Sequence, residues 1–349
     1  MTDRLYMEHQ AGAAPCLPSG TLCNQFLLEK MLSVGGFGQV FEARVLSGDG
    51  EDSVVKVEAQ TALFQLLHNE CACLKSLNLA YNPENRREKT PFLRYFGYGQ
   101  IDGFRWLAME KCGQNLTDLR KNMPLNRFGI FTSLYILHKL IESLEMMHNI
   151  GWLHRDVKPA NMCISLRTSS HLYILDFGMS RIYVEKDGTL KPRKTNAPFR
   201  GTLRYVSVNI HRRQDASRWD DLWSAFYIAT ENIVGFLPWR RMGDAKLVEE
   251  KKDTADLSAL KYGSEHGRPH CLTLLETHLT PSKTDPSLFY QTPPYHVFRK
   301  DIESDLRDRG YHSLSSVPLD WMSVHRPPTY QYHLKTGTPC RQAIQTPKT

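Results

Sequence analysis

The chain has 349 residues, of which 41% are hydrophobic and 23% charged, with a formal net charge of +7. That length exceeds what one small core needs and fits two lobes, and the apolar share excludes a disordered or fibrous chain. The positive balance is too modest to choose among nucleic acid, a membrane surface and an acidic protein as partner. No stretch approaches the ~18 uncharged apolar residues that a membrane-spanning helix needs.

The N-terminus carries no apolar run of the signal-peptide kind. Residues 1–20 mix small and polar types with Pro15, Pro18 and Gly20, and we expect a flexible leader over 1–23. The eight cysteines are scattered without a CxxC pair, which predicts reduced thiols and no zinc site.

From Phe26 the pattern turns strand-like. The run Leu32-Ser33-Val34-Gly35-Gly36-Phe37-Gly38-Gln39-Val40-Phe41 sets glycines in a turn between two strands. Such a turn lets backbone N–H groups approach an anion closely, although a plain hairpin uses glycine in the same way. After an Asp-Gly connection (Ser47 to Asp52), a third strand, Ser53-Val54-Val55-Lys56-Val57, places Lys56 inside an apolar run. That lysine either snorkels from an edge or is held by an anion. Leu63, Leu67, Leu74 and Leu77 then fall at helical spacing, with Glu70 on the same stripe. A buried acid needs a partner, and Lys56 is the nearest unexplained cation.

Residues 133–148 repeat apolar side chains with a helical period that ends at Gly151. The helix delivers the chain to Leu153-His154-Arg155-Asp156-Val157-Lys158-Pro159-Ala160-Asn161 and, after a polar loop, to Leu175-Asp176-Phe177-Gly178. Two carboxylates and an amide in this setting suit hard cations and a triphosphate, with one acid left as base for a hydroxyl proton. At about 5% per residue type, five fixed positions (His154, Arg155, Asp156, Lys158, Asn161) recur by chance on the order of once in a few million starts.

A long aperiodic segment follows, from Asp176 to Asn209, of the length that usually carries function. Its seven cations (Arg181, Lys186, Lys191, Arg193, Lys194, Arg200, Arg204) face three acids, a balance of +4. Trp219 to Val234 is apolar almost all round and predicts a helix buried inside a lobe, with Asp221 near its start in need of a bond. Residues 240–290 are charged and helix-prone, and a basic flexible tail is expected over 323–349.

Glycine-rich turn, strand lysine, helix glutamate, His-Arg-Asp loop and Asp-Phe-Gly stand in one order, and over residues 24–322 that order resembles the eukaryotic protein kinases. In place of the usual Ala-Pro-Glu, Arg204-Tyr205-Val206-Ser207-Val208-Asn209 resembles the casein kinase 1 superfamily. Within it, Gly113-Gln114-Asn115-Leu116, Phe199-Arg200-Gly201-Thr202, Asp220-Asp221-Leu222-Trp223-Ser224, Leu237-Pro238-Trp239-Arg240 and Pro318-Leu319-Asp320-Trp321 are most similar to the tau-tubulin kinase branch. The resemblance implies an α+β, two-lobed protein-kinase fold, with a small β-rich N-lobe over about 24–110 and a larger, mainly helical C-lobe over about 114–322.

It also implies roles. Asp156 would be the catalytic base and Lys158 would steady the phosphoryl group. Asn161 and Asp176 would hold metal ions, Lys56 braced by Glu70 would bind phosphates, and Thr202 would support Asp156. Gly35, Gly36 and Gly38 would cover the phosphates. Leu32, Val40, Val54, Met109 and Cys163 would line the adenine pocket, with Glu110 to Cys112 as its hinge. Asp221 would cap the backbone of the His-Arg-Asp loop. Arg200 and Arg204 would recognise acidic or already phosphorylated substrates.

The implied cofactors are ATP and Mg²⁺, or Mn²⁺ in its place. The implied partner is a protein bearing Ser or Thr, with cytoskeletal proteins among the candidates and no specific nucleic acid or membrane. A monomer in the cytoplasm or nucleus is expected. The competing reading is a pseudokinase scaffold that binds ATP or partners without turnover. Its support is Ser33, which stands where the first loop glycine is usual.

Overall fold

The computed structural model describes residues 16–35, 38–46, 52–81, 90–262 and 267–322. Gly36, residues 47–51 of the Asp-Gly connection, the first part of the expected leader and the expected tail lie outside the described residues. The described chain forms two compact units, one holding residues up to 81 together with 93–111, the other holding 90–92 and 112–322.

The first unit is an antiparallel sheet with one helix. Its strands are β1 (Leu22–Cys23), β2 (Phe26–Gly35), β3 (Gly38–Val45), β4 (Ser53–Ala59), β5 (Tyr95–Ile101) and β6 (Phe104–Glu110). They lie in the order β1-β2-β3-β4-β6-β5. Alternation sends Phe26, Leu28, Phe41, Val55, Val57, Trp106 and Ala108 into one core on one face. Leu17 and Cys23 join that core, so the last residues of the expected leader are ordered here by their apolar side chains.

The opposite face is fixed by register. Val40 pairs with Lys56 and Val54 with Met109, which puts these four side chains together on the face away from the core. Helix α1 (Leu67–Tyr81) buries Leu67, Leu74 and Leu77 together with Glu70. Leu63, expected on that stripe, precedes the helix and is exposed. The start of α1 is set instead by the buried Glu58, whose carboxylate accepts from Leu66 N (2.7 Å) and Leu67 N (3.1 Å). A carboxylate there satisfies orphan N–H groups and complements the helix dipole.

The second unit is mainly helical. Its elements are α2 (Leu116–Lys121), α3 (Ile130–Asn149), α4 (Val208–His211), α5 (Arg218–Val234), α6 (Ala245–Thr254), α7 (His270–Leu279) and α8 (Tyr295–Asp308). Two short pairs, β7 (Trp152–Leu153) with β10 (Arg181–Ile182) and β8 (Met162–Ile164) with β9 (Leu172–Ile174), carry the loops between α3 and α4. Every residue of α5 is buried, as its composition predicts. Gly235, at φ +89°, ends it. The N-terminus of α3 begins at a glycine with no side chain to cap it, and Asp320 takes that place by accepting from Gly129 N at 2.6 Å. The late Leu319 and Trp321 are buried as part of the same anchor.

Cys16 is disulfide-bonded, against the expectation of reduced thiols, whereas Cys23, Cys71, Cys73, Cys112, Cys163 and Cys271 are free. Local spacing detects CxxC-type pairs and gives no sign of a bridge made outside them. Among the described residues no helix is long and apolar enough to cross a membrane.

The glycine-rich hairpin yields a first test. Gly38 has φ +116°, and a Cβ there would sit 2.0 Å from Val57 O, whereas Gly35 has open space around it. Gly38→Ala should therefore destabilise the fold by more than about 1 kcal/mol, and Gly35→Ala should leave the thermal midpoint nearly unchanged. Equal midpoints for the two variants would contradict this account.

Candidate active site

In the first unit, Lys56 Nζ lies 2.5 Å from Glu70 Oε2, with side-chain exposures of 15% and 4%. Lys56 and Glu58 are two apart on β4 and so share a face. Glu58 anchors the start of α1, and Glu70, within the first turn, then meets Lys56. A pair this dry costs desolvation that Coulomb attraction only partly returns, so it serves geometry more than stability. Val40, Val54 and Met109 accompany Lys56 on the same face, and Leu32 is half-buried on β2. At the end of β6, Glu110 N donates to Arg94 O and Lys111 N to Asp52 O, each at 2.9 Å.

In the second unit, the His154–Asn161 loop is built on α5. Asp221, near the start of that helix, accepts from His154 N at 2.8 Å on one oxygen and from Arg155 N at 2.8 Å on the other. His148, at the end of α3, lies 2.9 Å from Asp221 Oδ2 through Nε2 and 2.6 Å from Tyr295 Oη through Nδ1. A neutral ring that donates from Nε2 and accepts at Nδ1 serves both contacts. Burial pushes the Asp221 carboxyl upward, but the His148 hydrogen bond and the His154 backbone N–H outweigh it, and the group is held below its usual range. Arg155 takes a left-handed backbone, φ +67°, and its Nε donates to Met179 O at 2.7 Å. Burial, then the charge of Arg181, pushes the Arg155 guanidinium down to about 10.

This bracing sets Asp156. Its Oδ1 accepts from Thr202 Oγ1 at 2.6 Å and its Oδ2 from Lys158 Nζ at 2.6 Å. Asn161 Nδ2 donates to Asp156 O at 3.0 Å, which leaves the amide oxygen as the acceptor this residue has to offer. Gly201, before Thr202, has φ +103°, and a Cβ there would lie 2.5 Å from Arg155 O. Only glycine lets the two loops approach this closely. Asp176 is also left-handed, φ +63°, and Phe177 after it is buried with its ring 5.6 Å from His154 and 6.3 Å from Phe92. Strained non-glycine residues persist where their surroundings over-determine them, commonly at functional sites. Cys163 is buried on β8, and its hydrogen bond with Cys112, then burial, pushes its thiol well up.

The two arginines expected to read substrate differ in setting. Arg200 lines a cavity of about 280 Å³ with Arg155, Arg181, Lys194, Gln214 and Asp215. There Arg181 forks onto Asp215 through both terminal nitrogens, and Lys194 N donates to the same carboxylate at 3.0 Å. Burial would raise Asp215, but the Arg181 bond and the Lys194 backbone N–H lower it overall. Arg204 instead bonds Glu231 at 3.3 Å and Arg240 O at 3.2 Å. Glu231 is buried and also receives Arg120 (2.8 Å) and Tyr205 Oη (2.7 Å). Sequence reading missed Glu58, His148 and Glu231. The signal was present in each as an ionisable residue among apolar neighbours, but without a partner to point to.

Magnesium is usually held by one or two carboxylates plus substrate phosphates. The oxygen donors of Asp176 and Asn161 fit that chemistry. Among the described residues no group of three or more His, Cys, Asp or Glu could hold a metal unaided.

The model of the protein kinase domain matches residues 26–281. A probable serine/threonine-protein kinase of Dictyostelium discoideum is 33% identical over 301 residues, 84% of this chain and 55% of that protein. A putative casein kinase I of Caenorhabditis elegans is 32% identical over 232 residues, 65% of each. A probable casein kinase I homolog of Encephalitozoon cuniculi is 31% identical over 258 residues, 70% of this chain and 75% of that protein. The chain thus spans 55% and 65% of the lengths of the first two.

The buried histidine makes acid sensitivity a test. Burial holds His148 below its ordinary 6.5, so as pH falls past 6.5 the unfolded chain binds a proton that the folded one refuses. The contribution is fully present above that value and is lost on acidification, and protonation of the depressed Asp221 adds to the loss at still lower pH. The urea midpoint should be lower at pH 5 than at pH 7.5, and His148→Gln should flatten the difference. A higher midpoint at pH 5 would refute the assignment.

Proposed function

This chain belongs to the protein kinase family, and we propose that it is an ATP- and Mg²⁺-dependent enzyme that phosphorylates Ser and Thr hydroxyls of protein substrates. The observation that carries the reading is the Asp156 carboxylate, held in one plane by Thr202 and Lys158 on a loop that Asp221 braces. A carboxylate so fixed is placed to accept the proton of an attacking hydroxyl. Lys158 supplies positive charge beside the reacting oxygens as charge develops.

Asn161 and Asp176 are the residues that would hold the divalent ion, which when bound neutralises phosphate charge. Lys56, oriented by Glu70, would grip phosphates, which Gly35 and Gly38 would cover, and Leu32, Val40, Val54 and Met109 of the first unit would receive adenine. A binding-only scaffold would rest on Ser33. That residue pairs with Val40 in β2 and is not among the positive-φ residues, so it costs the turn no backbone strain, and no observation favours the alternative.

The finer reading is a tau-tubulin-like member of the casein kinase 1 superfamily, which puts cytoskeletal proteins among the candidate substrates, in cytoplasm or nucleus. Similarity to casein kinase I proteins supports the superfamily. Arg200, on a cavity that Arg155, Arg181 and Lys194 line together with Asp215, Asp220 and Asp221, supports acidic or already phosphorylated substrates, because guanidinium groups bind phosphate through paired charge-assisted hydrogen bonds. Arg204, engaged with Glu231, contributes from its half-exposed position.

Two outcomes test this. Asp156→Asn should lower the phosphotransfer rate roughly 10²–10⁴-fold with nucleotide affinity retained, and EDTA should abolish transfer by the wild type. Equal rates for variant and wild type would refute the base. In a peptide panel, an acidic or phosphorylated residue near the target should improve kcat/KM. Arg200→Ala should raise KM for those peptides about tenfold, as loss of one charge-assisted hydrogen bond implies. Equal rates with basic peptides would remove the substrate reading alone.

A further inference from the structure

Every backbone carbonyl from 202 to 206 is engaged. Thr202 O accepts from Tyr205 N (2.8 Å) and Val206 N (3.1 Å). Arg204 O accepts from Trp239 Nε1 at 2.8 Å, and Tyr205 O from Ser224 Oγ at 2.9 Å. The remaining two, Leu203 O and Val206 O, both accept from Lys252 Nζ, at 2.8 and 2.5 Å.

Lys252 is unusual in its own right. It sits on α6, a helix otherwise mostly exposed, yet it is itself only 3% exposed. Among the described residues no carboxylate pairs with it. Its ammonium instead lies 5.3 and 5.4 Å from the ring centres of Tyr227 and Trp239 and 3.2 Å from His211 Nε2. Carbonyl dipoles and aromatic faces replace the missing counter-ion. Burial holds its pKa well below the ordinary lysine value. Burial, then the Lys252 charge, pushes His211 down to about 3, so the ring is neutral and its Nε2 accepts.

We propose that Lys252 is a positioning residue for phosphotransfer: its ammonium fixes the 203–206 backbone and, through Thr202, the plane of the Asp156 carboxylate. The inference rests on the kinase reading for its catalytic consequence. A buried apolar side chain in this place would satisfy neither carbonyl, and an exposed lysine would not fix them. The three-point donor geometry is what the segment requires. Thr202 is the link, because it joins the segment through its carbonyl and Asp156 through its hydroxyl.

Lys252→Met keeps the aliphatic stem against Tyr227 and Trp239 and removes all three donor contacts. In a phosphotransfer assay with a Ser/Thr protein substrate we expect kcat to fall at least tenfold, with nucleotide affinity within twofold of wild type and Lys252→Arg recovering part of the rate. Wild-type kcat in the folded Met variant would overturn the proposal, and so would parallel loss of kcat and nucleotide affinity. Should Lys252→Met not fold, Lys252→Gln, whose shorter side chain cannot reach both Leu203 O and Val206 O, takes its place, and the same split is expected. Wild-type kinetics there would overturn the clamp.

Amide hydrogen exchange supplies a readout independent of activity. The Tyr205 and Val206 amides should exchange at least tenfold faster in the variant while those of α5 do not change. Unchanged exchange at 205 and 206 refutes the clamp, whereas an inactive wild type with faster exchange in the variant refutes the kinase reading and leaves the clamp standing.

Discussion

The second unit depends on one buried carboxylate. Asp221 spends both oxygens on consecutive backbone N–H groups, those of His154 and Arg155, and takes a third bond from His148. The loop it holds includes a left-handed arginine, which costs of order 1–3 kcal/mol. Hydrogen bonds to a charged acceptor are worth about 1.5–3 kcal/mol each, so two of them outweigh the strain. The carboxylate can remain charged because α5 presents it from a fully buried helix to donors fixed in advance. Asp156, Lys158 and Asn161 inherit their geometry from that contact.

The same device recurs. Glu231 gathers Arg120, Arg204 and Tyr205 at the other end of α5. Lys252 ties two carbonyls of the segment that begins at Thr202. In the first unit, Glu58 seats α1 and Glu70 receives Lys56. In each case a regular element supplies rigidity and a buried charge ties a neighbouring segment to it. Apolar replacements would pack at least as well and often stabilise more, so what these charges contribute is definition of backbone position.

Much of this was legible in the sequence. The strands around the glycine turn, the two long helices of the second unit and the Lys56–Glu70 pair follow from periodicity and from the rule that a buried ion needs a partner. Other features were not. Leu63 fits the helical stripe but precedes the helix, because Glu58, three-dimensionally adjacent and five residues earlier in sequence, decides where α1 begins. The Cys16 bridge escapes any argument from local spacing. Lys252 reads as one of several charges on a solvated helix, since its burial beside Val248 on α6 depends on Tyr227 and Trp239 arriving from elsewhere. Arg200 and Arg204 look equivalent in sequence, and only tertiary packing puts one on a cavity and the other on Glu231.

The central claim is that the Asp156 constellation performs phosphoryl transfer to protein hydroxyls. It is tested most directly by incubating the full chain with Mg²⁺, γ-labelled ATP and an acidic, serine- and threonine-rich protein, followed by phosphoamino-acid analysis. The account predicts label in phosphoserine and phosphothreonine. Binding of ATP with no label transferred, or label confined to phosphotyrosine, would contradict it.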